Sequence, residues 1–143
     1  HPLSAEFERL GDYLELMSVR MGPRLAYRLE LPEDLREVPV PPLLLQPLVE
    51  NAIRHGLEPK VEGGEIAIGA RREGQRLVLE VRDTGVGMDV DPHDDSAPRP
   101  EGGFGLSQVR ERIATAYGGQ GALQFAAGPA GGTCATIQLP LSA

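Results

Sequence analysis

Four short groups of polar and glycine residues, in a fixed order, carry the side chains that could do chemistry. They are Glu50-Asn51-Ala52-Ile53-Arg54-His55-Gly56, Asp83-Thr84-Gly85-Val86-Gly87, Gly103-Phe104-Gly105-Leu106 and Gly131-Gly132-Thr133. Glycine lets backbone approach a ligand closely, and amide and carboxylate oxygens accept hydrogen bonds or hold hard cations. Together the groups predict a pocket for a magnesium-bound nucleotide that is built without a P-loop.

The first group is predicted to lie on a helix over residues 42–55. Its buried stripe would consist of apolar residues at helical spacing, namely Leu45, Leu48, Val49, Ala52 and Ile53. Asn51, Arg54 and His55 lie three and four residues apart, so they share another face. This face is the one predicted to meet the ligand.

Two residues predict irregularities in this helix. Pro47 lies inside the predicted span, where it should cost a hydrogen bond or introduce a bend. Gly56 follows the periodic residues and predicts the C-terminal stop.

Strand alternation predicts where Asp83 and Thr133 point. Two strands joined by a turn at 73–75 are predicted from alternating apolar residues, Ile66, Ile68 and Ala70, then Leu77, Leu79 and Val81. Asp83 shares the parity of the second set, so its carboxylate should face inward, which is costly without a donor. Thr133 shares the parity of Ala135 and Ile137 in the last strand, so its hydroxyl could meet Asp83. Cys134 has the opposite parity and is predicted to be structural.

The third group is predicted to precede a helix over about 106–117. A glycine-rich turn at a helix N-terminus presents free N–H groups and suits phosphate. The polar, proline-containing stretch 88–102 before it predicts a lid. The aspartates of this stretch lack the glycine and terminal glutamate of an EF-hand, so a solvated loop is the better interpretation than a calcium site.

The first segment predicts an amphipathic helix. Apolar residues recur at spacings of four and three, namely Leu3, Phe7, Leu10, Leu14, Met17 and Met21. Ser4 is the predicted N-cap and Gly22-Pro23 the predicted end. Two interpretations are open: the helix packs on its own domain, or it pairs with partner helices. The second is favoured here by a small margin. A strand is predicted over 24–31 after it.

Composition sets the class of protein. The 143 residues suit one domain. The net charge of −7 disfavours nucleic acid as a partner. One cysteine excludes an internal disulfide, and no apolar run approaches the ~20 residues of a membrane span. The chain begins at His1-Pro2 without Met, so we expect a fragment of something larger.

Three segments carry a family resemblance. The ATP-binding signature of LytS-like sensor histidine kinases resembles Pro41-Pro42-Leu43-Leu44-Leu45-Gln46-Pro47-Leu48-Val49-Glu50-Asn51-Ala52-Ile53-Arg54-His55-Gly56. The same branch is similar in Gly103-Phe104-Gly105-Leu106-Ser107-Gln108-Val109-Arg110-Glu111-Arg112-Ile113, and in Asp12-Tyr13-Leu14-Glu15-Leu16 with Arg20. The motif order is similar to that of the wider GHKL superfamily, which includes gyrase-type topoisomerases, heat-shock chaperone ATPases and MutL. The resemblance implies an α+β two-layer sandwich, the Bergerat fold, with a mixed, mostly antiparallel sheet covered on one face by helices and preceded by one amphipathic helix.

The resemblance also implies roles for individual residues. Asn51 would hold Mg²⁺, Asp83 would accept from the adenine amine, and Thr133 would support that contact through water. The implied ATP-binding residues are Asn51, Arg54, His55, Asp83, Gly85, Gly87, Met88, Gly103, Phe104, Gly105, Leu106 and Thr133. Pro47 stands where many relatives carry Asn or Glu, which leaves the general base unassigned. Glu50 and His55 are the catalytic candidates.

The implied protein is a two-component sensor histidine kinase. Residues 1–22 would be the second helix of a dimerisation and phosphotransfer hairpin, and residues 23–143 the ATP-binding catalytic domain with its lid at 88–102. The implied partners are ATP, an upstream phosphoacceptor helix, a response regulator and a second subunit. The fragment would be the cytoplasmic part of a membrane-anchored bacterial sensor and would not autophosphorylate alone. Two alternatives remain open: an anti-sigma-type serine kinase on the same fold, and a nucleotide-sensing module that transfers nothing.

Overall fold

The computed structural model describes residues 1–86, 102–128 and 131–141. In chain order its main elements are α1 (Leu3–Met21), β1 (Leu25–Glu30), α2 (Gln46–Asn51), β2 (Gly64–Glu73), β3 (Arg76–Asp83), α3 (Gly102–Tyr117), β4 (Ala122–Ala127) and β5 (Thr133–Pro140). Helix α2 continues without interruption as a π-helix over Ala52–Leu57. We call residues 46–57 together the Asn51 helix.

The strands form one mixed sheet in the order β1-β2-β3-β5-β4. β1 runs parallel to β2, and the three other pairings are antiparallel. Alternate residues of the strands are buried on one face, including Ile66, Ile68, Leu79, Leu123 and Ile137, and they share a core with the apolar sides of the helices. The predicted α+β sandwich is therefore confirmed.

Helix α1 packs its apolar stripe into this same core. Leu3, Leu10 and Leu14 are fully buried there. This arrangement matches the interpretation of a helix packed on its own domain, and the partner-helix role of residues 1–22 stays a prediction. The Ser4 cap was wrong: the helix begins at Leu3, with Pro2 at the N-cap position and no capping side-chain bond. The helix ends at Gly22 as predicted, with φ of 63°.

The Asn51 helix differs from the prediction at both ends. It begins at Gln46 rather than residue 42, so Pro47 lies in the first turn. Amides of the first turn have no partner within a helix, so the proline costs nothing there and the predicted bend was wrong. The helix also runs past Gly56 to Leu57, and the Glu58 N–H bonds the Ile53 carbonyl at 2.8 Å. Gly56 is therefore not the C-terminal stop.

Helix α3 begins at Gly102, so the third glycine group lies within its first turn instead of preceding the helix. Leu106, Val109 and Ile113 form its buried side, whereas Ala116, one turn further along, is exposed. Gly118 follows the helix with φ of 61°, a conformation that a side chain would disfavour.

Candidate functional site

Asp83 ends β3 with its carboxylate turned into the core, as its parity predicts. The residue is 5% exposed. Its Oδ1 accepts the Gly85 N–H at 2.9 Å, and the Thr133 N–H also donates to the carboxylate. Burial raises the pKa of Asp83 above its ordinary value, while these two hydrogen bonds and the charge of Lys60 pull it the other way. The carboxylate is thus partly stabilised by backbone donors.

Three glycines surround Asp83, and each stands where a methyl group would collide. A Cβ on Gly56 would lie 2.8 Å from Asp83 Oδ1, and one on Gly132 would lie 2.0 Å from the Asp83 carbonyl oxygen. A Cβ on Gly85 would lie 2.1 Å from the Gly56 carbonyl oxygen. Gly132 also has φ of 76°, which favours glycine independently of space. The Asn51 helix, the end of β3 and the β4–β5 connection therefore meet around the Asp83 carboxylate.

A small cavity connects Asp83 to the Asn51 helix. Its polar lining comes from Asn51, Asp83 and Thr133, and its apolar walls come from residues of four elements, Leu48, Ala52, Val81, Phe125 and Ala135. Asn51 is 9% exposed and Thr133 is similarly buried. Register explains the pairing, because Asp83 lies directly opposite Thr133 across β3 and β5. Three of the predicted site residues are thus brought together.

The other predicted residues of the helix lie further out. Glu50 and Arg54 are exposed, and Glu50 accepts a hydrogen bond from Gln46 Nε2 at 3.0 Å. His55 is half-buried, and its buried Nε2 has no hydrogen-bond partner among the described residues. An unpaired buried polar nitrogen is costly, so this atom is suited to a ligand.

Sequence reasoning missed the contacts that fasten the turn after β3 to the Asn51 helix, to the segment that follows this helix and to β2. Lys60 Nζ donates to the Thr84 carbonyl at 2.8 Å, and Thr84 Oγ1 accepts the Glu65 N–H at 2.9 Å. The Val86 N–H donates to the Gly56 carbonyl at 2.8 Å. No local pattern signals these bonds, since they join residues far apart in the chain.

Part of the predicted site lies outside the described residues. Gly87, Met88 and the predicted lid up to residue 101 lie in this part of the chain. The backbone of Gly103, Phe104 and Gly105 forms the start of α3, and Leu106 is buried. Among the residues that the structure describes, no cluster of three or more His, Cys, Asp or Glu side chains is placed to hold a metal ion.

The arrangement can bind a ligand that bears an amino group, because the buried carboxylate can accept its hydrogens and apolar side chains lie beside it. Arg54 and His55 of the same helix can donate hydrogen bonds to a negatively charged part of that ligand. A purine nucleotide has both properties.

Comparison with known proteins defines the class. The sequence pattern of the "Histidine kinase-, DNA gyrase B-, and HSP90-like ATPase" family matches residues 42–143. The chain belongs to this family, whose domain binds ATP.

Within this family the chain is similar to sensor histidine kinases. It is 34% identical over 138 residues to the sensor histidine kinase BtsS of Escherichia coli, covering 96% of this chain and 23% of that protein. It is 31% identical over 145 residues to the sensor protein LytS of Bacillus subtilis, covering 98% of this chain and 24% of that protein. The chain therefore spans about a quarter of the length of these relatives. Its resemblance to the LytS-like branch is confirmed.

Solved structures agree on the fold. The catalytic domain of histidine kinase ThkA superposes with a TM-score of 0.73 at 17% identity, covering 98% of this chain and 94% of that one. The histidine kinase AdeS of Acinetobacter baumannii gives 0.72 at 22% identity, covering 100% and 66%. In the described ranges, no helix is long and apolar enough to cross a bilayer.

Proposed function

We infer that this chain is the Mg²⁺–ATP-binding catalytic part of a two-component sensor histidine kinase. The observation that carries the inference is the Asp83 carboxylate, which is buried, surrounded by glycines and adjacent to Asn51 and Thr133. The family match and the similarity to sensor histidine kinases support it.

Each site residue has a role in the proposal. Asp83 would accept hydrogen bonds from the adenine amine, with Thr133 beside it, and Gly85 and Gly87 would lie under the purine. Asn51 would be the protein ligand of Mg²⁺, which neutralises phosphate charge when bound. Arg54 and the unpaired Nε2 of His55 would donate to the phosphates. The turn at Gly103 and Gly105, with the lid before it, would close over the phosphate tail.

The proposed reaction moves the γ-phosphoryl group to an imidazole nitrogen of a histidine on an upstream helix. The bond from phosphorus to the β–γ bridging oxygen breaks, a nitrogen–phosphorus bond forms and ADP leaves. A response-regulator aspartate then receives the phosphoryl group. The transfer needs positioning and charge neutralisation more than covalent help from the domain. Glu50 and His55 remain the candidates for a group next to the γ-phosphate, although Glu50 is held by Gln46 on the exposed side of its helix. The upstream segments would anchor the protein in a membrane, with this part in the cytoplasm.

Calorimetry with a non-hydrolysable ATP analogue tests the adenine contact. Asp83→Asn should weaken binding by roughly 10- to 100-fold, because a hydrogen bond to a charged partner is worth ~1.5–3 kcal/mol. Asp34→Asn is the control, since it also removes one carboxylate but from an exposed turn. Equal affinity of the folded Asp83 variant and the wild type would refute the assignment.

The metal assignment is tested on Asn51→Ala. Binding by this variant should no longer respond to Mg²⁺, whereas Gln46→Ala in the first turn of the same helix should keep the wild-type response. An unchanged magnesium response in the Asn51 variant would show that another group holds the ion.

A transfer assay separates the kinase from the alternatives. The domain is mixed with the histidine-bearing segment of the same protein and labelled ATP, in a verified dimer. Acid-labile, base-stable label supports a histidine kinase, and acid-stable label supports a serine kinase. Binding of ATP without any label supports a nucleotide-sensing module.

A further inference from the structure

Two charged residues outside the predicted site hold opposite ends of the Asn51 helix. Glu6 lies in the first turn of α1 and meets the N-terminal end. Arg24 follows α1 directly and meets the C-terminal end. The signs match the helix dipole, whose N-terminal end is positive and whose C-terminal end is negative.

Glu6 is 1% exposed, and its carboxylate is bonded on both oxygens. Oε1 accepts the Leu45 N–H at 2.9 Å, and Oε2 accepts the Leu43 N–H at 3.2 Å and contacts His1 Nε2 at 3.1 Å. Leu45 is the N-cap residue of the Asn51 helix. Glu6 therefore provides, from a distant helix, the acceptor for the N-cap N–H that a glutamate at the N3 position supplies in a capping box.

The loop held by Glu6 has an unusual backbone. Leu43 has φ of 58°, the only positive φ at a non-glycine among the described residues. Its N–H is held by Glu6, and its carbonyl accepts from Arg112 of α3 at 3.3 Å. A leucine keeps this conformation only where its surroundings impose it. The entry to the Asn51 helix is therefore set by α1 and α3 together.

Arg24 closes the other end with one guanidinium group. Nη2 donates to the carbonyls of Glu58 at 2.8 Å and Lys60 at 2.9 Å, and Nε donates to the carbonyl of Val61 at 3.1 Å. The same Nη2 lies 3.5 Å from the carbonyl of Leu57, the last helical residue, and Glu58 is the C-cap residue, so Arg24 donates to the C-terminal end of the helix. An Arg20–Glu58 ion pair at 3.3 Å lies nearby but is largely exposed, so it contributes little.

Between the two ends, α1 runs beside the Asn51 helix. Burial raises the pKa of Tyr13, in the middle of α1, and the nearby carboxylates of Glu50 and Glu58 raise it further. The phenol thus lies close to the polar face that carries Glu50 and Arg54. Helix α1 therefore also contacts the Asn51 helix between its two ends.

We propose that Glu6 and Arg24 are positioning residues for the nucleotide: they fix the Asn51 helix at both ends, so the position of α1 sets the affinity for Mg²⁺–ATP. This rests on the proposed function, since nucleotide binding is the measured quantity. Asn51 and His55 lie between the two clamped ends. Release of either end lets their side chains move relative to Asp83, whose carboxylate is held by the backbone N–H groups of Gly85 and Thr133.

We call the hydrogen bonds from Leu43 and Leu45 to Glu6 the N-terminal clamp, and Glu6→Gln tests it. The amide oxygen can accept from one backbone N–H, but the amide NH₂ cannot accept from the other. We expect about tenfold weaker binding of Mg²⁺–ATP analogue, equivalent to ~1.4 kcal/mol. Faster hydrogen exchange is expected at the amides of Leu43, Leu45 and residues 48–53. Leu139→Ala is the control: it loses core packing at the far end of the sheet, opposite Leu77 rather than Asp83, and should leave the affinity unchanged.

We call the hydrogen bonds from Arg24 to the carbonyls after Ile53 the C-terminal clamp, and a pair of variants tests it. Arg24→Gln removes the charge and most of the donors, whereas Arg24→Lys keeps the charge and three donors without the planar fork. Affinity should fall in the order wild type, lysine variant, glutamine variant. This graded rescue is not expected if Arg24 only stabilises the fold, and it provides the measurement if the Glu6 variant fails to fold.

The outcomes separate the two proposals. Wild-type affinity in folded Glu6→Gln and Arg24→Gln, or an affinity loss that Leu139→Ala reproduces, would overturn the clamp. A wild-type domain that binds no nucleotide would overturn the proposed function instead. Exchange rates at residues 48–53 would then decide the clamp alone, with unchanged rates in both variants counting against it.

Discussion

Replacing Gly56 with alanine would place a methyl group against the carboxylate that we assign to adenine. The new Cβ would lie 2.8 Å from Asp83 Oδ1, whereas ordinary contact begins at 3.4 Å, so a shift of about 0.6 Å is required. The same oxygen accepts the Gly85 N–H at 2.9 Å. Movement of the carboxylate away from Gly56 therefore disturbs the hydrogen bonds that orient it.

Two opposing terms set the stability of this variant. Overpacking costs ~1–3 kcal/mol, and alanine inside a helix gains ~0.8–1.0 kcal/mol over glycine. Gly56 is not among the glycines with positive φ, so alanine is allowed there by its backbone. We expect the free energy of unfolding to fall by ~0–2 kcal/mol. Nucleotide affinity should fall about fivefold, because part of a ~1.5–3 kcal/mol hydrogen bond is lost.

Gly11→Ala is the matched control. It is a glycine-to-alanine change inside α1, where the new Cβ would meet Leu29 Cδ1 at 3.5 Å, an ordinary contact. This variant should gain ~0.8–1.0 kcal/mol of stability and bind nucleotide normally. Urea denaturation measures the first quantity and calorimetry the second. Wild-type affinity in a folded Gly56 variant would refute the placement of the ligand at Asp83.

Three further predictions concern the same region and its surroundings. Burial raises the pKa of Asp83 above 3.8, so ionisation of Asp83 lowers the stability of the wild type as the pH rises from 3.8 through the folded pKa. The free energy of unfolding of Asp83→Asn minus that of the wild type should therefore be larger at neutral pH than near pH 3.8. A difference that does not change with pH would contradict this. In urea denaturation, Gly132→Ala should cost at least ~2 kcal/mol of stability, because the strain of a positive φ adds to a clash with the Asp83 carbonyl. The control Gly74→Ala has a φ of 61° but open space around the new Cβ, so it should cost only ~1 kcal/mol. Burial raises the pKa of Cys134 above 9.0, so the native thiol should react with iodoacetamide more slowly at neutral pH than the urea-unfolded chain does.

Local sequence patterns predicted which strand faces are buried and which face of the Asn51 helix is polar. Alternation is a property of a few neighbouring residues, so it placed Asp83 and Thr133 on the buried face and Cys134 on the other. Parity allowed Asp83 and Thr133 to meet, and the register of β3 and β5 places them directly opposite each other. The polar face of Asn51 and His55 depends only on helical spacing, which is equally local.

Glycine and proline were harder to interpret because their meaning depends on position. Pro47 was predicted to bend the Asn51 helix, but it lies in the first turn of that helix. Gly56 was predicted to end the helix, but the helix continues past it. Gly56 is required by the approach of Asp83, 27 residues further along the printed sequence. No local rule separates a stop glycine from a packing glycine.

By itself the sequence determined the strand faces, the apolar stripes and the order of the motifs, because each is set by neighbours along the chain. Only the tertiary structure decided which groups complete the site. Glu6 and Arg24 reach the ends of the Asn51 helix, and three glycines close around Asp83, through contacts between distant segments. Such contacts exist only once the core has formed, since burial and backbone approach are properties of the packed chain.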